Sequence, residues 1–144
     1  MRIMRPQAWL DWQLMEEGNN EWCVLRGNFK TQEYKAIKNL YVRMQITRFF
    51  KQGYTFIETG NAGTLAALSP TGKELVVAVL NTTGSERPLV IDLDKFSGKI
   101  ASINNWRTSE TEDCRSFRPV ETQGKKLAYT RPAKSLTTFV IELE

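Results

Sequence analysis

The sequence predicts a mostly β protein: an antiparallel β-sandwich over residues 54–144, preceded over residues 1–53 by a buried strand, a long loop and a helix. Three observations predict it. After Tyr54 the apolar period changes from helical to strand-like, seven short apolar or β-branched runs follow, and no helical pattern interrupts them. The change of period is the one domain boundary that the residues mark.

The first element is the run AWLDWQL, residues 8–14, which lacks helical spacing and closes on Gly18-Asn19-Asn20. Such a run suits a strand buried on both faces, as in a parallel sheet, with polar residues near its carboxyl end. Trp9 and Trp12 stand beside Asp11 and Gln13. Aromatic faces next to amide and carboxylate groups suit a sugar, whose C–H faces stack while its hydroxyls need donors and acceptors. The competing assignment makes both tryptophans plain core, since the residue buries so much area. Spacing alone does not separate the two.

Residues 15–30 read as a long loop carrying Glu16, Glu17 and Glu21, solvated acids rather than the opposed pair that glycosidic chemistry requires. Thr31 then reads as an N-cap, with Glu33 in the first turn, of a helix running to Gln52 and stopped by Gly53. Tyr34, Ile37, Tyr41 and Met44 form its stripe, widened by Leu40, Phe49 and Phe50. A stripe this broad is a packing face.

The sandwich strands are expected at 54–59, 64–68, 74–81, 88–93, 99–106, 126–130 and 136–143, with turn chemistry such as Ser69-Pro70-Thr71-Gly72 between them. Alternation in LVIDL and TTFVIEL suggests one face on the core and one in water. Thr108 to Asp113 is a polar hairpin tip whose acids lack the glycine and spacing of a calcium loop. Trp106 and Arg107 suggest a sugar platform or, more simply, half-buried packing.

Composition narrows the function classes. The chain has 144 residues, a formal charge of +4 and no histidine. Lys and Arg are scattered among nearly as many acids, which argues against nucleic acid as a partner. Without histidine there is no His-based triad and no His-containing metal site. Cys23 and Cys114 lack CxxC spacing and form either a disulfide or two buried thiols; no metal or cofactor is expected. The amino terminus reaches Pro6 at once and reads as neither a signal peptide nor a membrane span. A buried parallel strand so near the start needs neighbours on both sides, which hints at a fragment.

Four stretches in order resemble the carboxy-terminal part of glycoside hydrolase family 30, the (β/α)8-barrel clan of glucocerebrosidases, β-1,6-glycanases and glucuronoxylanases. AWLDWQL resembles the last barrel strand, and KNLYVRMQITRFFKQGY at 38–54 is similar to the last barrel helix and its exit. LAALSPTGKELVVAVLNTT at 65–83 resembles the family's paired strands, and PAKSLTTFVI at 132–141 its closing strand. The resemblance implies that residues 1–53 are the last strand, loop and helix of a barrel and 54–144 its β-sandwich side domain. It implies a retaining β-glycosidase whose two catalytic glutamates lie on earlier strands, so that this chain holds no catalytic residue. Its role would be to brace the barrel and supply an aromatic wall.

By the resemblance Trp12 lines the pocket around the sugar beside the scissile bond, supported by Asp11 and Gln13. Trp22, Asn28 and Phe29 correspond to the rim after that strand, on a loop whose length departs from the glucocerebrosidase pattern. The implied partners are a β-glycan or β-glycoside and the rest of the barrel, including an amino-terminal strand that the family lends to the sandwich. Export to a secreted or periplasmic location is implied as well. Two rivals come from other classes: a free-standing carbohydrate-binding or structural sandwich using Trp106 or Trp22, and a complete small enzyme using Asp11 with Glu16 or Glu17.

Overall fold

The computed structural model describes residues 13–18, 22–122 and 124–144. Strands β1 (Met15–Glu17), β2 (Leu25–Asn28) and β3 (Glu33–Ala36) form a small sheet in that order, with β1 parallel to β2 and β3 antiparallel to it. Helix α1 (Lys38–Thr47) follows. The rest is β4 (Thr55–Ile57), β5 (Thr64–Leu68), β6 (Glu74–Asn81), β7 (Arg87–Asp92), β8 (Ile100–Thr108), β9 (Arg115–Phe117), β10 (Lys126–Arg131) and β11 (Ser135–Leu143). A six-stranded antiparallel sheet, ordered β4-β5-β6-β11-β8-β9, faces a two-stranded one, β10-β7. The expected antiparallel sandwich is present, and all seven strands expected for it recur within two or three residues.

Two corrections concern the segment before α1. Residues 15–30 are not one loop, because they contain β1 and β2. The helix does not begin at Thr31, because the chain first makes the β2–β3 hairpin. Asn28 explains why: its Oδ1 accepts from the backbone N–H groups of Lys30 (3.1 Å) and Thr31 (3.2 Å), folding a turn that Gln32 completes at φ 59°. The Thr31 hydroxyl donates to Glu33 across this turn and caps nothing. Helix α1 starts instead after Ile37, which offers no side-chain cap and whose N–H donates to Val24 O at 3.1 Å. The helix also ends early, at Thr47. Gly53, at φ 86°, turns the chain into β4 and does not stop the helix.

The six-stranded sheet is covered on both sides. On one face Leu75, Val77, Val79, Ile103, Phe139 and Ile141 form the main core with Leu127, under Leu89, Ile91 and Tyr129 of the two-stranded sheet. On the other face Val76, Val140 and Trp106 pack under Tyr41 and Met44 of α1 and under Phe49, Phe50 and Tyr54. The half-wet alternation expected for TTFVIEL therefore fails at its start, where Thr137 and Thr138 are both buried, and holds from Phe139 to Leu143. A second layer covers the face that the pattern assigns to water. LVIDL does alternate, because β7 has sheet on one side only.

The helix is fixed to the sheet by a polar residue in its apolar stripe. Gln45 is fully buried, and its Nε2 donates to Thr108 Oγ1 at 3.0 Å while its backbone carbonyl accepts from Thr138 Oγ1 at 3.0 Å. Thr108 Oγ1 donates in turn to Tyr41 O and accepts from Cys114 N–H. Replacing Gln45 by alanine is expected to cost about 2 kcal/mol, since it opens a void and leaves Thr108 a donor short. Urea unfolding followed by tryptophan fluorescence checks this, because Trp106 lies in the same layer.

Cys23 and Cys114 are both free and buried. Burial pushes the Cys114 thiol up from its ordinary value. The tip between β8 and β9 closes through Ser109 N–H to Glu112 O at 3.0 Å. Two of its acids are engaged: Glu112 by Arg107 and Ser109, and Asp113 by Lys38. Among the described residues no helix is long and apolar enough to cross a membrane.

Candidate functional site

Asp11 and Trp12, with Trp9, lie outside the described residues. Gln13 is half-buried just before β1. Leu14 O accepts from Val24 N–H (3.2 Å) and Leu25 N–H (3.0 Å), which draws the segment before β2 alongside the segment before β1. Trp22 and Gln13 thereby reach the same end of the small sheet. Trp22 is 69% exposed, so its ring is a surface and not a core element. Asn28 stands at the opposite end of β2, where its side-chain oxygen is committed to the hairpin turn. Four strand residues separate the ends, roughly 13 Å at 3.3 Å per residue, so one monosaccharide cannot touch both. Of the residues chosen from the sequence, Gln13 and Trp22 precede β1 and β2 at the same end of the small sheet.

Glu16 and Glu17 are neighbours on β1 and therefore point to opposite faces. They cannot face each other across a bond, as a general acid and a nucleophile must. Trp106 is not a platform either. Its ring lies 4.6 Å from that of Phe49, under the guanidinium of Arg48, in the layer between α1 and the sheet.

Among the clefts on the sandwich, two are notable. One, of about 650 Å³, opens where Ile57, Ala66, Leu75 and Val77 of the large sheet face Leu89 and Ile91 of β7. It exists because two strands cover six, and the far edge of β7 pairs with no strand among the described residues. The other, of about 850 Å³, lies at one end of the sandwich among Glu86, Arg107, Ser109, Glu110, Glu112 and Lys134. Arg107 grips Glu112 through both Nε and Nη2 and lies 4.2 Å over the Phe117 ring.

That pair gives a pH dependence. Hydrogen bonding from Arg107 holds the Glu112 carboxyl below its ordinary value of 4.5, against an opposing effect of burial. The same bond raises the Arg107 guanidinium. A depressed carboxylate stabilises the fold above its unfolded pKa and loses that contribution as pH falls through its folded pKa. Stability should therefore drop below about pH 4.5, and the acid limb should be shallower in Glu112→Gln. Urea midpoints across pH 3 to 7 check this.

Three features of the site escaped the sequence reading. Gly27, in the middle of β2, is flanked by Tyr34 and Met15, whose side chains meet over it. Asn81 organises the loops at the end of the sandwich. Arg107 and Glu112 pair at the polar tip between β8 and β9. A glycine inside an apolar strand pattern is the one such signal visible in sequence, because it marks a bulge or a close approach.

No family profile matches the chain. Among curated proteins it is similar to an endo-β-1,6-galactanase from Hypocrea rufa, 23% identical over 144 residues, covering 96% of this chain and 29% of that protein. Among solved structures it superposes on the catalytic domain of xylanase C, a family 30 glycoside hydrolase from Talaromyces cellulolyticus. The TM-score is 0.71 at 17% identity, covering 88% of this chain and 29% of the other. A family 30 endoxylanase from Clostridium papyrosolvens gives 0.63 at 20% identity, covering 74% and 28%. The chain thus spans less than a third of the relatives that it matches, and the likeness to family 30 drawn from its four motifs is borne out.

Proposed function

We propose that this chain is the carboxy-terminal part of a retaining β-glycosidase of family 30: the last strand, loop and helix of the barrel, residues 1–53, with the sandwich, residues 54–144, that braces it. The observation that carries the proposal is that similarity covers nearly the whole chain but less than a third of each relative. The fold agrees with it, since α1 is docked on one face of the six-stranded sheet through Gln45. In this assignment the two glutamates of hydrolysis belong to the remainder of the barrel. The chain supplies Trp12 as an aromatic wall beside the scissile bond, Asp11 and Gln13 as its support, and Trp22 and Asn28 on the rim. The substrate is a β-linked glycan, and the enzyme acts outside the cytoplasm.

Two edges fit the missing remainder. Strand β1 is the outer strand of the small sheet and is paired on one side only among the described residues, so a further strand can join its other edge. The open edge of β7, beside its 650 Å³ apolar cleft, is suited to one further strand. Left uncovered, both edges favour self-association, so the isolated chain should sediment as more than a monomer at high micromolar concentration. Analytical ultracentrifugation checks this.

The test of the proposal is hydrolysis of aryl β-glucosides, β-galactosides and β-xylosides by the purified chain. No turnover is expected. Turnover that disappears in Asp11→Asn would instead make this a complete small enzyme.

A further inference from the structure

Gly27 pairs with Glu17 on β1 and with Tyr34 on β3, so these three positions form one row across the small sheet. Residues directly paired share a face, which places Glu17 and Tyr34 on the same side, with the Met15 thioether reaching over the glycine between them. The space over the glycine is taken by the Tyr34 ring. A Cβ on Gly27 would lie 3.1 and 3.2 Å from Tyr34 Cδ1 and Cε1, and 3.3 Å from Met15 Sδ. The ring is thus seated on the backbone of β2, and half of its surface remains exposed, at 50%. Its hydroxyl donates to Gln32 Oε1 at 3.3 Å, which fixes its tilt. Glu17, at the other end of the row, is exposed.

We infer that Tyr34, seated on Gly27 with Glu17 across the row, is an aromatic platform for one further sugar residue of the glycan chain. The chemistry is that of a sugar site. A ring supported on one side and open on the other accepts the C–H face of a pyranose, and a solvated carboxylate beside it accepts hydrogen bonds from a pair of hydroxyls. The glycine is what makes the seat possible: any side chain there would lift the ring. The inference rests on the proposed glycosidase reading and adds to it a position for the chain beyond the proposed wall at Trp12 and rim at Trp22.

Saturation-transfer NMR with this chain and two probes, β-1,6-linked galactotetraose and β-1,4-linked xylotetraose, tests it. With one of the two, saturation should reach the axial C–H protons of a single sugar. Tyr34→Phe should bind within about twofold of the parent, because the ring and not the hydroxyl stacks. Tyr34→Ala should weaken binding about five- to tenfold, the worth of one aromatic stacking contact. Gly27→Ala, which lifts the ring, should weaken it similarly while circular dichroism stays unchanged. Undiminished binding by a folded Tyr34→Ala would overturn the platform and leave the glycosidase reading standing. Absence of binding to both probes by the parent chain would overturn it as well, whereas hydrolysis by the chain alone would overturn the glycosidase-fragment reading instead.

Discussion

Replacing Phe139 by alanine is expected to cost about 4 kcal/mol, enough to unfold a domain of ordinary stability. The side chain is fully buried at the centre of β11, the strand paired on both sides within the six-stranded sheet. It meets the Tyr129 ring edge-on, with centroids 4.9 Å apart and planes at 83°. Tyr129 belongs to β10, so this contact joins the two sheets. The void could not collapse easily, because β6 and β8 hold β11 in register on either side. Phe139→Leu should cost much less, about 1.5 kcal/mol, since it preserves most of the volume. Urea unfolding of both variants checks the pair of values. Equal losses would place the cost in the aromatic contact and not in the volume.

Asn81→Asp is expected to cost about 3 kcal/mol although it changes no volume. Asn81 is buried at the end of β6, and its Nδ2 donates to the carbonyls of Ser85 (2.9 Å), Arg131 (3.1 Å) and Pro132 (2.8 Å). Its Oδ1 accepts from the N–H of Thr83 (3.1 Å) and from the Thr83 hydroxyl (2.7 Å). One amide thus ties the β6–β7 connection to the β10–β11 connection. A carboxylate keeps the acceptor and loses every donor, which leaves three carbonyls facing negative charge at a buried position. Protonation restores one donor, so part of the loss should be recovered as pH falls through the carboxyl's raised folded pKa. Thermal unfolding between pH 4 and 7 checks the sign: a variant that gains relative stability toward acid supports it, and a loss independent of pH contradicts it.

The sandwich was legible because its strands are short, bounded by strong turn residues and uninterrupted. Ser69-Pro70-Thr71-Gly72 is an example: Gly72 N–H donates to Ser69 O at 2.9 Å and takes φ 71°, as the sequence of the turn suggests. Arg115–Phe117 escaped notice because three residues carry too little pattern, and it is a strand only because β8 lies beside it. The stretch before α1 was misread for a different reason. Tyr34 and Ile37 fit a helical stripe by spacing, yet Asn28 and Gln32 make a tight turn that sets Glu33–Ala36 against β2. Local hydrogen bonding by one asparagine decided against the periodicity.

The candidate site divides in the same way. Trp22 was singled out through the family resemblance and as a rival's platform, and what the structure adds is that its ring is exposed. Gln45 was not legible, since a polar residue in an apolar stripe has meaning only with Thr108 in place, 63 positions along the chain. Tyr34 was assigned to a helix face and emerges instead as a ring seated on a glycine. That assignment needs the cross-strand register, which spacing along one segment does not contain.

The most direct test of a divided glycosidase is hydrolysis of aryl β-glycosides by this chain mixed with a separately produced fragment holding the first seven strand–helix units of a family 30 barrel. No turnover is expected from either part alone, and turnover is expected from the mixture, abolished when a glutamate at the end of the fourth or seventh barrel strand is changed to glutamine. Turnover by this chain alone, or a mixture that associates tightly yet hydrolyses none of the three glycosides, would contradict it.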